Sequence, residues 1–168
     1  MSDTTPNGAA GSNGDIDAIL RLPRAQKAKA FFEQGYNCAQ SVLLAFGDKT
    51  GLADADAARF ASSFGGGIGR LREVCGAFSG MCMALGMISG CADPADAEGK
   101  KAQYQVIQNL AGQFRDANGS IVCRELLGLT QKCSEPTPEK RTEGYYRKRP
   151  CGDLVAFAAG LLDRELAR

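Results

Sequence analysis

Histidine is absent from this chain of 168 residues, and so is tryptophan. Without imidazole there can be no Ser-His-Asp or Cys-His pair, no histidine-ligated zinc and no C-x-x-C-H haem attachment. A transition metal would have to rely mainly on cysteine. Aromatic residues make up 7% of the chain, too few for a base-stacking platform. Lys plus Arg number 20 against 19 Asp plus Glu, so the net charge of +1 provides no long-range field that would favour nucleic acid. The opening Met-Ser-Asp-Thr-Thr-Pro lacks both a basic flank and an apolar run. No secretory signal is therefore expected, and a cytoplasmic location is the default. Alternating strand patterns and internal repeats are missing as well.

What is present is an apolar fraction of 44% and seven cysteines, at 38, 75, 82, 91, 123, 133 and 151. The length fits one domain with a core of its own. Residues 1–15 are almost devoid of apolar side chains and are expected to form a disordered tail, leaving residues 16–168 as a single helical domain. In a chain that is not exported, cysteines serve catalysis, redox exchange or metal binding more often than a disulfide framework. The odd total would also leave one thiol over if all the others paired.

Helical spacing recurs along the domain. Residues 16–22 form a short apolar patch that ends near Pro23. Residues 24–34 place Ala25, Ala28, Phe31 and Phe32 on one side and stop at Gly35. Asn37 is an N-cap for a helix over 38–46. Asp54 or Asp56 opens another that runs to Phe64. The spacing then predicts a helix over 73–89, an amphipathic one over 94–118 closed by Asn118-Gly119, and a short one over 121–127 behind Ser120. Residues 130–149 read as an irregular excursion with some helix, and a last helix covers 154–166.

Residues 74–92 carry no charge and approach membrane-spanning length, with G-x-x-x-G spacings at Gly76/Gly80 and Gly86/Gly90 that would suit a dimer face. Gly, Ser and Cys dilute that span, and it stands alone. The reading is therefore a central helix buried on all sides, crossed closely by neighbours where glycine removes the side chain. Membrane insertion is not expected. The expected architecture is all-α, a compact bundle of about six to seven helices around this buried Gly/Cys-rich helix.

Four cysteines share a position: Cys38, Cys75, Cys123 and Cys151 each fall at or near the start of a helix. There the unpaired backbone N–H groups and the positive end of the dipole favour a thiolate. Brought together, these starts would form an anion-stabilising pocket lined by sulfur. Arg70 and Arg72 would complement a cluster of iron and sulfide held there, and the same surroundings would activate a thiol pair for disulfide exchange. Inert burial of each cysteine is the plain alternative. Cys82 lies seven residues from Cys75, about 10 Å along a helix, too far for a disulfide, and is read as packing. Cys91 and Cys133 are read as exposed or accessory thiols.

The glycine run at residues 65–69 follows a helix rather than a strand and lacks a Gly-Lys-Ser/Thr ending, so it is a weak match to a phosphate loop. It is expected to let backbone approach the cysteine pocket closely, with a plain loop as the alternative. Gly66, Gly67, Arg70 and Gly76 are accordingly the candidate cofactor-binding residues beside the four cysteines. The basic cluster Lys140, Arg141, Arg147, Lys148 and Arg149 reads as a solvated face, with a docking surface for an acidic partner as the lesser alternative.

The segment Cys75-Gly76-Ala77-Phe78-Ser79-Gly80 resembles the motif of the C_GCAxxG_C_C family of redox-active proteins. Gly35-Tyr36-Asn37-Cys38-Ala39-Gln40 resembles that family's first cysteine block and Phe64-Gly65-Gly66-Gly67-Ile68-Gly69 the glycine run before its motif. Cys123-Arg124-Glu125-Leu126-Leu127-Gly128 resembles the third block, and Cys151 before Leu154-Val155 the fourth. Cys133 competes with Cys151 for that last role, and the helix that follows favours Cys151. The resemblance covers residues 25–166 and implies redox activity. A similar domain occurs in split-Soret cytochromes, where an iron–sulfur centre accompanies the haems.

The leading expectation is a redox protein that uses Cys38, Cys75, Cys123 and Cys151 as catalytic or metal-binding thiolates. They would hold an iron–sulfur cluster, [2Fe–2S] favoured, and pass single electrons to a partner protein. Alternatives are a thiol–disulfide oxidoreductase without a cofactor, a structural Cys₄ zinc site, and a purely helical interaction module. The glycine faces of the central helix would also allow a homodimer.

Overall fold

Apolar residues at helical spacing, punctuated by Pro, Gly and capping side chains, divide the domain into segments short enough to fold back on one another. The computed structural model describes residues 13–168. Most of the expected tail, residues 1–12, lies outside the described residues. The helices are α1 (Asn13–Leu20), α2 (Pro23–Glu33), α3 (Cys38–Ala45), α4 (Gly47–Thr50), α5 (Asp54–Ala61), α6 (Gly76–Ser89), α7 (Ala97–Asn118), α8 (Cys123–Leu126), α9 (Glu143–Lys148) and α10 (Cys151–Leu166). Seven of them run to eight residues or more, and α4, α8 and α9 are single turns or little longer. Among the described residues there is no strand, only a bridge between Val74 and Val122. The protein is all-α.

Local chemistry sets the boundaries. Pro23 stands at the first position of α2, where its missing N–H costs nothing. Asn37 caps α3, accepting from the N–H groups of Ala39 and Gln40 at 3.0 Å each, while the Gln40 side chain accepts from the Asn37 N–H at 2.9 Å. Asp96 caps α7 through the Gly99 N–H, and Gly119, at φ 88°, closes it in the left-handed conformation.

Helix α10 is buried at Cys151 and from Leu154 through Leu162, and packs on α2, α6, α3, α1 and α7. The Gly/Cys-rich α6 shares the centre, with Ala77, Phe78, Met81, Ala84 and Leu85 buried. Phe114 of α7 meets Phe78 and Phe157 edge-to-face at 5.8 and 5.9 Å, joining α6, α7 and α10. Of the two glycine pairs in α6, the first works as expected. A Cβ on Gly80 would stand 2.6 Å from the Ala39 carbonyl oxygen, so only glycine allows α3 to cross here. Gly86 meets nothing within 4 Å, and the far end of α6 is exposed rather than buried on all sides. Among the described residues, no helix is long and apolar enough to cross a membrane.

Helix α6 starts three residues later than its apolar pattern predicts, because the preceding chain is wound the other way. Gly66, Gly67, Ile68, Gly69, Arg70 and Arg72 all have φ between 55° and 71°. Left-handed backbone costs a residue with a Cβ roughly 1–2 kcal/mol, and a β-branched one is the least suited to it. Backbone hydrogen bonds hold the turn, among them Gly69 N–H to the Ser63 carbonyl at 2.8 Å and Glu73 N–H to the Gly67 carbonyl at 3.1 Å.

Two substitutions should move stability in opposite directions. Gly80→Ala is expected to destabilise by about 2 kcal/mol through overpacking against α3. Ile68→Gly should stabilise by about 1 kcal/mol, since it relieves a strained φ at a position 39% exposed. Urea denaturation of both variants measures this, and equal signs would contradict the packing and strain described.

Candidate functional site

Each of the four singled-out cysteines stands at a helix start. Cys38, Cys123 and Cys151 are the first residues of α3, α8 and α10, and Cys75 is the cap residue of α6. Three local devices draw these starts together. Asn37, while capping α3, donates through Nδ2 to the Ser62 carbonyl at 2.9 Å, tying Cys38 to the entry of the glycine loop. Cys75 N–H donates to the Ile121 carbonyl at 2.8 Å and Cys123 N–H to the Glu73 carbonyl at 2.6 Å, so the Cys75 and Cys123 segments run side by side as a two-rung ladder. Helix α10 carries Cys151 in against α2 and α3.

The four thiols line one cavity of about 420 Å³. Gly66, Arg70 and Gly76 line it too. Gly67 stands behind the wall, where a Cβ would come 2.6 Å from the Cys123 Cβ. On Gly76 a Cβ would lie 3.1 Å from that of Cys38. These glycines thus let the cysteine-bearing segments approach. Cys82, Cys91 and Cys133 are not part of the wall. Cys82 is half-buried in α6, Cys91 lies near Asp96 Oδ2 at 3.6 Å, and Cys133 is exposed.

The electrostatics centre on Arg72. It is 3% exposed, and among the described residues it has no carboxylate partner. Nε donates to Ser134 Oγ at 2.8 Å, and Nη1 lies 3.8 Å from the Cys123 sulfur. A buried guanidinium costs several kcal/mol unless a negative group answers it, and the nearest groups able to become negative are thiols.

Burial pushes the Cys75 thiol up to about 12, against the N–H groups of Phe78 and Ala77, which favour its thiolate. Cys123 is raised by burial and drawn back by the Arg72 guanidinium. Cys38 and Cys151 titrate as a pair. Cys38 is held well above the ordinary thiol value by its pairing with Cys151, then by burial. Cys151 is lowered first by the Cys38 thiol, and burial is opposed further by Arg149, Arg141 and Arg72. Within the pair, the proton is held more tightly on Cys38 than on Cys151.

Sequence reasoning missed part of this wall. Arg141 and Arg149, read as a solvated face, line the cavity together with Tyr145 and Glu139. Arg141 stacks on the rings of Phe32 and Tyr145 at 4.3 and 4.8 Å. Lys140, Arg147 and Lys148 are exposed as expected. One signal was available: Arg149 stands two residues before Cys151, at the start of a helix.

Four thiols at converging helix starts, walled by arginines and glycines, define an all-α cysteine-centred domain of redox type. The chain belongs to the family described as "Putative redox-active protein (C_GCAxxG_C_C)", whose model matches residues 36–165. That span takes in all four cysteines. Searches of curated proteins and of solved structures each found no match.

The buried thiols give the metal-free protein an alkaline limit. Cys75 and Cys82 keep their protons in the fold up to about 12 and about 11, whereas the unfolded chain loses them near 9.0. Above pH 9 the unfolded state binds fewer protons, so stability from these groups is full below that point and is lost as pH rises through 11 to 12. Urea midpoints of reduced, metal-free protein should fall above pH 9, and less steeply in Cys82→Ala. A flat profile to pH 11 would contradict the buried, protonated thiols.

Proposed function

We propose that Cys38, Cys75, Cys123 and Cys151 hold an iron–sulfur cluster, of the [2Fe–2S] kind, and that the protein exchanges single electrons with a partner protein in a reducing, cytoplasmic setting. The observation that carries this reading is the buried Arg72 against Cys123 in a cavity lined by four thiols. A cation sealed in that wall calls for an anionic centre, and a thiolate-bound cluster is one.

Four thiols lining one cavity are the donor set that such a group would need. Among the described residues, no three Cys, Asp or Glu side chains converge closely enough for a single metal ion. A lone zinc would need its sulfurs about 2.3 Å away in a tetrahedron. A space bounded by four separate helix starts suits a larger centre better. Bound there, the cluster would supply one-electron chemistry. The chain's part is to release thiol protons on loading, to offset the resulting charge through Arg72, Arg141 and Arg149, and to exclude water with Leu126, Leu127 and Leu154.

Anaerobic purification with iron and sulfide assays, visible absorbance and electron paramagnetic resonance tests this. Iron and sulfide are expected in equal amounts, lost in each of Cys38→Ser, Cys75→Ser, Cys123→Ser and Cys151→Ser, and kept in Cys82→Ser, Cys91→Ser and Cys133→Ser. A colourless, iron-free protein after reconstitution would overturn the reading.

One observation favours a second reading, thiol–disulfide exchange through Cys38 and Cys151. Both line one cavity, and the opposite shifts within the pair would make Cys151 the readier nucleophile and Cys38 the resolving thiol. Closing that disulfide from a Cys151 thiolate and a Cys38 thiol would pass two electrons and one proton to an oxidised partner thiol pair, reducing the partner's disulfide. At neutral pH, iodoacetamide should then modify Cys151 before the other three, and mild oxidation should yield a Cys38–Cys151 bond on mass mapping. Uniform labelling with no such bond would exclude it.

A further inference from the structure

The cavity holds more positive charge than its thiols engage. Four arginines line it, Arg70, Arg72, Arg141 and Arg149, against one carboxylate, Glu139. Arg72 alone approaches a cysteine sulfur within hydrogen-bonding range. Arg70 and Arg149 are both turned to Glu139, Arg149 through a close Nη2 contact and Arg70 at 3.8 Å. Arg141 donates Nη2 to the Tyr36 carbonyl at 3.2 Å, while its Nη1 is buried without any acceptor. The guanidinium is stacked on Phe32 and Tyr145, and the residue lines the cavity.

Glu139 reaches this place on a strap, residues 129–142, that has no helix of its own. Nothing from residue 124 to 150 belongs to the buried core. Polar contacts hold the strap instead: Ser134 N–H to the Arg70 carbonyl at 3.1 Å, Arg70 Nε to the Glu135 carbonyl at 2.5 Å, and Arg72 to Ser134. Such contacts exchange readily with water or a competing anion. Outside the strap lies a second cavity of about 410 Å³, which shares Leu127, Glu139, Tyr145 and Arg149 with the first and adds Lys140 and Lys148. Its basic lining would draw anions toward the shared wall.

We propose that the arginines around Glu139 form a binding subsite for a small oxyanion, a carboxylate or a tetrahedral anion, beside Cys151, and that Glu139 is a built-in competitor occupying it. The planar forks of Arg149, Arg70 and Arg141 match oxyanion geometry. An incoming anion takes the place of the Glu139 carboxylate, supplies an acceptor for Arg141 Nη1, and frees the strap. The protein then accepts a small anionic substrate or effector at its redox centre, in addition to a macromolecular partner. The subsite shares its cavity with the reading above but does not depend on a cofactor being bound.

Isothermal titration of the full chain as isolated, with inorganic phosphate and malonate as probes and iron assayed in parallel, tests this. At least one probe should bind one-to-one. Arg149→Gln and Arg141→Gln should each weaken it about tenfold, and Glu139→Gln should tighten it about tenfold, the scale of one charged hydrogen bond. Arg149→Lys, which keeps charge but not the fork, should fall between. Preference for phosphate or malonate tells which oxyanion shape the subsite takes. A gain in Glu139→Gln cannot come from misfolding. Absence of binding in both wild type and Glu139→Gln overturns the proposal, as does affinity unchanged across all variants, and no gain in Glu139→Gln overturns the competitor role. Anion binding without iron leaves the subsite standing and counts only against the cluster; iron without anion binding does the reverse.

Discussion

A guanidinium sealed from water is the constraint on which this architecture turns. Arg72 bonds Ser134 of the strap and faces Cys123, while its carbonyl accepts from the Arg124 N–H at 3.2 Å and its own N–H donates to Gly66 at 3.2 Å. One residue thereby joins the glycine loop, the strap and α8 around a single charge. Removing water from that charge is costly, and the protein recovers the cost only through a negative group inside the cavity. Cys123, 3.8 Å from the guanidinium, is the ionisable group within its reach.

Strain and close packing serve the same end. Ile68, Arg70 and Arg72 are held in left-handed backbone that side chains rarely adopt. The alternative, a right-handed continuation of α6 toward its N-terminus, would carry residues 73–75 away from the ladder with Ile121 and Cys123. A bent, strained loop is thus what sets Cys75 beside Cys123. Gly67 and Gly76 then let the segments close to distances at which any Cβ would collide. The outer face has looser terms: no residue of the strap belongs to the buried core, and polar contacts together with the stacking of Arg141 on Phe32 and Tyr145 hold it.

Much of the fold was legible because its signals are local. Asn37 capping α3 and Gly119 closing α7 stand where side-chain chemistry within four residues puts them. The start of α6 was misjudged because apolar spacing carries no record of backbone handedness, and three of the left-handed residues are not glycine. Arg141 and Arg149 were misplaced for a related reason. A run of basic residues looks solvated until the partners that bury it are known, and those partners, Phe32, Tyr36 and Glu139, lie on other segments.

The sequence by itself determined an all-α domain, the absence of histidine chemistry, and four cysteines placed at helix starts where thiolates are favoured. Capping, glycine conformation and apolar periodicity act over one or two turns, so residue order is enough to reveal them. Only the tertiary structure decided that these four of the seven thiols share one cavity, that Arg72 is buried against them, and that Glu139 stands between Arg70 and Arg149. Those relations span 51 residues from Arg72 to Cys123 and 105 from Tyr36 to Arg141. Contacts at such separations depend on how whole helices pack, and no local pattern encodes that.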